Sequence, residues 1–260
     1  MKKNERGAER FYHWNYAHRG LHEKDKSVPE NSLAAFRAAK EAGYGAELDV
    51  QLSKDGQVVV FHDDTLDRVC GTIPAPEGLA NGKGLVKDYT YEELHKMSLC
   101  GTQETIPLFS DVLDAFYGGG PLIVELKDAH EKNKELCEKT WAILKDWKGL
   151  FCIESFTPVV VHWFKKNAPE VFRGQLAMAV KEYEGQVSKP IGWLLGNGLF
   201  NVWTKPDFVA YDMSVERPKY VKHLFKKGEM DICWTSRDPE DQKAGYDGVI
   251  FEFYRPGIRY

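Results

Sequence analysis

The stretch GAELDVQL, residues 45–52, alternates charged and apolar side chains. Successive side chains of a strand point to opposite faces, so Glu47 and Asp49 share one face while Leu48 and Val50 share the other. The apolar face suits packing against helices, which leaves the two carboxylates on the inner side of a barrel. The stretch therefore predicts an inner barrel strand that carries acidic side chains into a confined space.

Strands and helices alternate along most of the chain, which is typical of parallel βα units. A chain of 260 residues, 43% of them hydrophobic, is large enough for a single (β/α)8 TIM barrel. Nine strands are predicted, one more than such a barrel holds, but only LSKDGQ separates the second from the third, so these two are expected to form a hairpin. The predicted strands are residues 15–18, 46–51, 58–62, 122–127, 151–156, 173–178, 208–212, 231–235 and 248–252.

Helix start signals support this alternation. Asn31 is predicted to cap the first helix, SLAAFRAAKEA. Thr90 and Glu93 have the spacing of a capping box. Thr157 followed by Pro158 has the pattern of an N-cap with proline at the first helical position.

Residues 63–105 interrupt the alternation, because they are rich in glycine, proline and asparagine, as in CGTIPAPEGLANGKG, and contain one predicted helix. Long segments of this kind inside compact domains are usually functional. We therefore expect residues 1–260 to form one barrel domain, with a small inserted subdomain or lid at about 63–105, beside the barrel mouth.

A third acidic residue appears in LIVELKD, where Ile123, Glu125 and Lys127 share one face of the fourth predicted strand. Glu47, Asp49 and Glu125 would repel one another in a confined place, and one divalent cation would offset that repulsion. Three carboxylates suit Mg²⁺ or Ca²⁺ better than zinc, which prefers nitrogen and sulfur. The sequence predicts a site for one such cation.

Two histidines end predicted strands, His18 the first and His62 the third. Barrel enzymes take their catalytic residues from the C-terminal ends of several strands. An imidazole accepts or returns a proton near neutral pH, so the two rings are candidates for an acid/base pair. Arg19 adds a permanent charge whose geometry suits a phosphate oxygen. With the cation and Lys127, it predicts a site for an anionic substrate.

Taken together, these residues resemble the glycerophosphodiester phosphodiesterase family. The motifs HRG, PENS, ELDVQLSKDGQVVVFHDDTLDR, YEEL, IPLFSDVL and VELK occur in that family's order, and ESF and CWTSR continue it. The resemblance implies a (β/α)8 barrel and metal-dependent hydrolysis of glycerophosphodiesters to sn-glycerol 3-phosphate and an alcohol. The residues carried over are the acid/base pair His18 and His62, the metal ligands Glu47, Asp49 and Glu125, the phosphate contacts Arg19 and Lys127, and the pocket-wall aromatics Phe156 and Trp234.

Two departures from the family pattern lie in the C-terminal half. The last strand commonly ends in threonine-aspartate, where this chain has Phe251 and Glu252. WTSR replaces a frequent tryptophan-threonine-valine-asparagine motif. Because this half shapes the pocket around the leaving alcohol, the head group stays open, as does the role of Glu252. Core packing explains Phe156 and Trp234 equally well.

The predicted site residues are compatible with more than one chemical route. Either histidine can be the acid, and the nucleophile can be water or the neighbouring glycerol hydroxyl, which would first give a cyclic phosphate. A lysophospholipase D or a cyclising phospholipase-like enzyme on the same barrel is an alternative. So is a barrel that binds phosphate or metal without catalysis.

Composition and charge limit the classes of partner that the chain is expected to have. The net charge of −4 predicts no nucleic-acid partner. The first 15 residues contain no apolar run typical of a secretory signal, and no stretch is long enough for stable membrane insertion. Five scattered cysteines favour reduced thiols in the cytoplasm. IGWLLGNGLFNVW, residues 191–203, is interpreted as a buried barrel helix rather than an apolar membrane-facing rim. The oligomeric state is not predicted.

Overall fold

Eight parallel strands close into a barrel in the computed structural model, which describes residues 8–260 apart from the side chains of 242–244. The closed barrel consists of all the strands below except β3. The strands are β1 (Trp14–Ala17), β2 (Gly45–Leu52), β3 (Val58–Val60), β4 (Leu122–Leu126), β5 (Phe151–Ser155), β6 (Arg173–Ala177), β7 (Phe208–Asp212), β8 (Met230–Ser236) and β9 (Gly248–Phe251).

Pairing between the first two strands and between the first and the last closes the barrel: β1 is parallel to both β2 and β9. β3 lies outside the closed barrel, because it runs antiparallel to β2, with Val50 opposite Val60. The predicted (β/α)8 barrel and the hairpin between the second and third strands are therefore both confirmed. The hairpin returns the chain toward Asp49, whose carbonyl oxygen accepts from the backbone N–H of Phe61 at 3.0 Å.

The described helices occupy the connections between strands and cover the outside of the barrel. Most barrel strands are followed by a helix, but the connection from β8 to β9 contains only a 3₁₀ turn at Pro239–Ala244. The helices are α1 (Leu33–Glu41), α2 (Asp67–Cys70), α3 (Tyr91–Leu94), α4 (Phe109–Phe116), α5 (Asn133–Leu144), α6 (Pro158–Asn167), α7 (Lys189–Gly196), α8 (Asn201–Thr204) and α9 (Lys219–Lys226).

The barrel has an apolar layer on each side of its wall. Leu48 and Val50 pack outward into a core shared with Phe36 of α1 and Phe109 of α4. Inside the barrel, Tyr16, Ile123, Cys152, Phe208 and Ile250 belong to a second buried cluster. This inner cluster fills the barrel interior, so the polar inward-facing side chains are confined to its mouth.

One predicted helix cap is wrong. The side chain that caps α1 is Ser32, which accepts from the backbone N–H of Ala35 at 3.1 Å. Asn31 instead has a left-handed backbone, with φ of 55°, and its side chain points to Asp49. By contrast, the Thr90–Glu93 capping box is present at α3, and α6 begins at Pro158 after Thr157.

Residues 63–105 contain two short helices, α2 and α3, where the sequence predicts one. The segment has its own apolar cluster, in which Leu66, Val69, Leu94 and Met97 pack under β3. Through Arg68 it also reaches the carboxylates Asp63 and Glu30.

The interpretation of residues 191–203 as one buried helix is wrong. The segment forms two short helices, α7 and α8, and Trp193 is 54% exposed. The Tyr211 hydroxyl, near the end of β7, bonds to the carbonyl oxygens of Met178 and Gly196, which fixes α7 near the strand ends. We call four exposed apolar side chains in the first part of this connection, Val180, Val187, Ile191 and Trp193, the apolar lip.

In residues 8–260, no helix combines the length and the apolar character that crossing a bilayer requires. The expected absence of a secretory signal rests partly on residues 1–7, which lie outside the described residues. All five cysteines are free thiols.

Candidate active site

A cavity of about 180 Å³ opens at the C-terminal ends of the barrel strands. This volume is below the ~300 Å³ typical of pockets for drug-sized ligands, so the cavity suits a small polar group. Asp49 and Lys127 lie directly beside it, in contact with Glu125 or with each other. The other seven sequence-predicted site residues all line the cavity: His18, Arg19, Glu47, His62, Glu125, Phe156 and Trp234.

Glu47, Asp49 and Glu125 meet as the sequence predicts. Asp49 and Glu125 are register partners on neighbouring strands, and Glu47 precedes Asp49 on the same face. Carboxylate oxygens of the three residues lie within 4.8 Å of one another, and all three side chains are buried. Because they offer only oxygen ligands, the cluster can hold a divalent cation of the Mg²⁺ or Ca²⁺ type.

The electrostatics of the three acids also fit a bound cation. Burial and the negative charges of Asp49 and Glu125 raise the pKa of Glu47 well above the usual carboxyl value. Burial likewise raises the pKa of Glu125, although Lys127 opposes the shift. Burial alone would raise the pKa of Asp49, but its neighbours, Lys127 foremost, together outweigh burial and lower it. Glu47 and Glu125 thus have raised pKa values even with basic side chains nearby, and a cation bound to their oxygens would favour the ionised forms.

Two basic side chains are held against the acids. Lys127 Nζ lies 2.9 Å from Glu125 Oε1 and 3.3 Å from Asp49 Oδ1. Burial opposes the charge of Lys127, but Glu125 and Asp49 outweigh it and raise the pKa of the ammonium group. Arg19 donates from its backbone N–H to Glu47 Oε2 at 3.0 Å. Its buried Nε, 3.7 Å from Asp49 Oδ2, has no hydrogen-bond partner among the described residues.

His18 follows β1 and pairs with the residue that follows β9. Its Nδ1 lies 2.8 Å from Glu252 Oε2, while Arg237 Nε donates to Glu252 Oε1 at 2.6 Å. Burial, followed by the charge of Arg19, lowers the pKa of His18 to about 4, so the ring is neutral at pH 7. A neutral ring beside an ionised carboxylate carries its hydrogen on Nδ1, which leaves a lone pair on Nε2.

His62 has a matching arrangement on the other side of the cavity, although it follows β3 rather than a barrel strand. Its Nδ1 lies 2.7 Å from Asp63 Oδ1, and Arg68 Nε donates to Asp63 Oδ2 at 2.6 Å. Arg68 also donates to both carboxylate oxygens of Glu30, each at 2.7 Å, and Glu30 accepts from Arg19. Arg68, from residues 63–105, is thus linked to both His62 and Arg19.

Phe156 and Trp234 form part of the cavity wall at the ends of β5 and β8. Their rings meet edge to face, with centroids 5.7 Å apart. The buried Trp234 Nε1 has no hydrogen-bond partner among the described residues. The arrangement is compatible with both interpretations of the pair, as a pocket wall and as core packing.

The sequence analysis missed several polar residues of this site, and two of them, Glu154 and Asn31, are buried beside the acids. Glu154 is the register partner of Glu125 on β5, and burial raises its pKa well above the usual value. The alternation that identified Glu47 would have found it, since Cys152 and Glu154 share the inner face. Asn31 donates to Asp49 Oδ2 at 2.8 Å, and its buried Oδ1 has no hydrogen-bond partner among the described residues. Because Asn31 lies directly before a helix, the sequence suggested a helix cap rather than a hydrogen bond to Asp49.

Gly20 lies in the turn that follows β1, two residues after His18. Its φ is 77°, and a Cβ there would lie 2.8 Å from Ala35 Cβ. The glycine is therefore needed where this turn passes close to α1.

An eight-stranded barrel with buried acids and two histidines at its strand ends defines the chain as a barrel enzyme. The profile of the glycerophosphoryl diester phosphodiesterase family matches residues 18–255. A glycerophosphodiester phosphodiesterase of Caldanaerobacter subterraneus is 32% identical, over 90% of this chain and 91% of that protein. The chain belongs to the glycerophosphodiester phosphodiesterase family.

Solved structures agree with this membership. A phosphodiesterase of Oleispira antarctica, in complex with the product sn-glycerol-3-phosphate, is 25% identical, with a TM-score of 0.72 over 92% of this chain and 93% of that chain. A glycerophosphodiester phosphodiesterase of Thermotoga maritima is 26% identical, with a TM-score of 0.67 over 92% of this chain and 94% of that chain. The fold and the enzyme class are therefore those that the sequence predicts.

Proposed function

We propose that this chain hydrolyses glycerophosphodiesters to sn-glycerol 3-phosphate and an alcohol, using His18 and His62 as general base and acid. The observation that carries the proposal is a single cavity that joins both histidines to three buried carboxylates. The product bound to the Oleispira antarctica enzyme supports the same product here.

In this proposal Glu47, Asp49 and Glu125 hold one divalent cation, Mg²⁺ or Ca²⁺. Their buried oxygens, and the raised pKa values of Glu47 and Glu125, support such a ligand set. When bound, a divalent cation supplies Lewis-acid stabilisation of negative charge on phosphate oxygens. Asn31 orients Asp49 within this set through its 2.8 Å hydrogen bond.

The two histidines are assigned by their surroundings. His18 Nε2 carries the lone pair, so it accepts the proton of the nucleophile, and Glu252 stabilises the imidazolium that forms. His62 returns a proton to the departing alkoxide from its own Nε2, while Asp63 holds its Nδ1. The nucleophile is either water or the adjacent glycerol hydroxyl.

The remaining candidates bind the substrate. Arg19 Nε and Lys127 Nζ offset negative charge on the phosphate oxygens as it grows in the transition state. Phe156 and Trp234 confine the glycerol portion between apolar surfaces, and Trp234 Nε1 is a free donor toward a hydroxyl. Both roles are consistent with a cavity that is polar at the acids and aromatic at its wall.

A panel of phosphodiesters tests the proposed activity. We expect release of sn-glycerol 3-phosphate from glycerophosphocholine, glycerophosphoethanolamine or glycerophosphoinositol in Mg²⁺ or Ca²⁺, measured with a coupled dehydrogenase assay. Glycerol 2-phosphate is the matched monoester control and is expected to stay intact. ³¹P NMR of the same reactions distinguishes direct hydrolysis from a cyclic phosphate intermediate. Failure to cleave any diester with either cation would refute the proposal.

A second candidate substrate, a lysophospholipid, is favoured by one observation. The apolar lip is exposed and lies in the connection that follows β6, whose Leu176 lines the cavity. A lysophospholipid is a glycerophosphodiester with one acyl chain, so the same chemistry would release lysophosphatidic acid and an alcohol. The lip would then cover part of the acyl chain.

A double substitution in the apolar lip tests this second candidate. We expect Ile191→Ser with Trp193→Ser to lower kcat/KM for lysophosphatidylcholine at least about tenfold, because each lost apolar contact is worth roughly 1.5–3 kcal/mol. Activity on glycerophosphocholine should be unchanged. Val202→Ser, an exposed apolar residue of α8 outside the lip, is the matched control. Equal loss on both substrates would argue against acyl-chain binding here.

We also propose that residues 1–260 act as one domain, with 63–105 as an insertion. The family match over residues 18–255 supports this, as do the links from Arg68 to Glu30 and Asp63. Location in the cytoplasm remains a prediction from the cysteine pattern.

A further inference from the structure

A second group of possible metal ligands lies beside the carboxylate cluster, formed by His18, His22 and Glu252. Ring nitrogens of the two histidines and a carboxylate oxygen lie within 4.8 Å of one another. His18 Nδ1 is 2.8 Å from Glu252 Oε2, and His22 Nε2 is 3.5 Å from the same oxygen. Three donors from two segments of the chain therefore converge on one small volume.

His22 supplies an independent indication of a ligand. Its side chain is only 8% exposed, and its Nε2 faces Glu252 Oε2 at 3.5 Å without forming a well-aligned hydrogen bond with any described residue. A buried polar nitrogen that is not well hydrogen-bonded is costly, and most such groups are satisfied in native structures. The ring is held in place by Phe253, whose centroid lies 5.1 Å away in an edge-to-face contact.

The donor set selects the chemical class of the ion. Two imidazoles and one carboxylate suit Zn²⁺ and related transition metals, whereas Mg²⁺ and Ca²⁺ prefer oxygen ligands. Donor atoms about 2.1 Å from one tetrahedral ion lie about 3.4 Å apart. The separations of 2.8 and 3.5 Å from Glu252 Oε2 lie on either side of this value, and the two ring nitrogens are within 4.8 Å of each other. Arg237 can keep its 2.6 Å contact with the other oxygen, Glu252 Oε1.

We propose that His18 Nδ1, His22 Nε2 and a Glu252 oxygen form a second, inhibitory site for Zn²⁺, distinct from the carboxylate cluster. Zinc binding displaces the hydrogen from His18 Nδ1, and the neutral ring regains one at Nε2 from solvent. His18 Nε2 then carries a hydrogen and cannot accept the proton of the nucleophile. This inhibitory effect rests on the proposed role of His18 as base, whereas the binding itself does not.

Metal binding in the full chain tests the site without relying on activity. With the carboxylate cluster saturated by Mg²⁺, we expect titration calorimetry to show one Zn²⁺ equivalent for the wild type. His22→Gln should weaken this binding at least about tenfold, since even residues that only support ligands contribute 10–100-fold to metal affinity. His95→Gln, which changes a histidine beside Tyr91 outside this group, is the matched control and should bind like the wild type. His22→Asn serves as a second variant if His22→Gln does not fold.

Two further measurements link binding to the named atoms. In ¹⁵N-histidine NMR spectra, Zn²⁺ should shift the ring signals of His18 and His22 together and leave that of His95 in place. Zn²⁺ should also inhibit diester hydrolysis in excess Mg²⁺, with a weaker effect in His22→Gln when each rate is normalised to its own zinc-free value. Equal zinc affinity in wild type and His22→Gln, or no zinc bound in excess Mg²⁺, would overturn the site. If zinc binds but no diester is cleaved, the proposed function fails and the metal site stands.

Discussion

Replacing His18 or His62 with alanine is expected to lower kcat for diester hydrolysis by about 10²–10⁴-fold, the contribution usual for a positioned acid or base. Both rings line the cavity with the acids, and each has a carboxylate on Nδ1 that fixes its orientation. The loss should fall mainly on kcat, because neither ring contributes a permanent charge for binding the substrate. Initial rates over a range of glycerophosphocholine concentrations provide the measurement.

The two variants should also differ from each other in a way that separates base from acid. A substrate with an activated leaving group, such as a nitrophenyl glycerophosphodiester, needs no proton on the departing oxygen. It should therefore restore much of the rate to His62→Ala and little to His18→Ala. His95→Ala, outside the cavity, is the matched histidine control. Near-normal kcat in either catalytic variant would contradict the assignment of the two histidines as an acid/base pair. If the activated substrate restored the rate of His18→Ala and not that of His62→Ala, His18 would be the acid and His62 the base.

Removing the divalent cation is expected to abolish hydrolysis, because Arg19 and Lys127 alone would then have to offset three buried acids and the phosphate. Dialysis against EDTA should reduce activity to background, and added Mg²⁺ or Ca²⁺ should restore it. Asp49→Asn and Glu125→Gln keep the side-chain shape but remove ligand charge, so both should lose turnover and need far more metal for half-maximal rate. Metal content by mass spectrometry gives a readout that does not depend on catalysis.

Glu92→Gln is the matched control for these two variants, because Glu92 lies on the surface of α3 and is 83% exposed. Glu92→Gln should keep the metal content and the turnover rate of the wild type. Full activity after EDTA treatment would reject the cation, and undiminished metal binding in both Asp49→Asn and Glu125→Gln would reject the assigned ligands. If only one of Mg²⁺ and Ca²⁺ restored activity after EDTA treatment, that result would identify the cation, since the three carboxylates suit either ion.

Local alternation explains why so much of the fold and site could be predicted from the sequence. Side chains alternate between the two faces of a strand, so Glu47 and Asp49 share one face of β2, and Glu125 lies on the corresponding face of β4. The apolar residues on the opposite faces identify the acidic face as the inner one. Parallel βα units then bring the strand ends together at one mouth. The histidines follow from the same reasoning, although His62 reaches the mouth through an antiparallel strand.

Contacts between distant segments explain what the sequence left undetermined. Asn31 looks like a helix cap because its neighbours in the chain begin a helix, but its partner, Asp49, lies on another strand. Glu252 faces His18 across 234 residues, so no local pattern could assign it. The apolar lip has a composition that suits burial, and only tertiary structure shows that Trp193 is 54% exposed. Propensity and periodicity are weak guides wherever a side chain's environment is set by another part of the chain.

The contacts of Arg68 limit which segments could replace residues 63–105 in this barrel. Its guanidinium holds Glu30 and Asp63 together, while apolar side chains of the segment that carries it pack with Val59 of β3. Loops of that kind are normally the most tolerant of exchange and length change. Here a grafted segment would have to supply an equivalent bidentate donor at the same place, because a lysine cannot reproduce the planar fork. The insertion can thus vary in its outer turns, provided that it keeps the guanidinium that joins it to Glu30 at the barrel mouth.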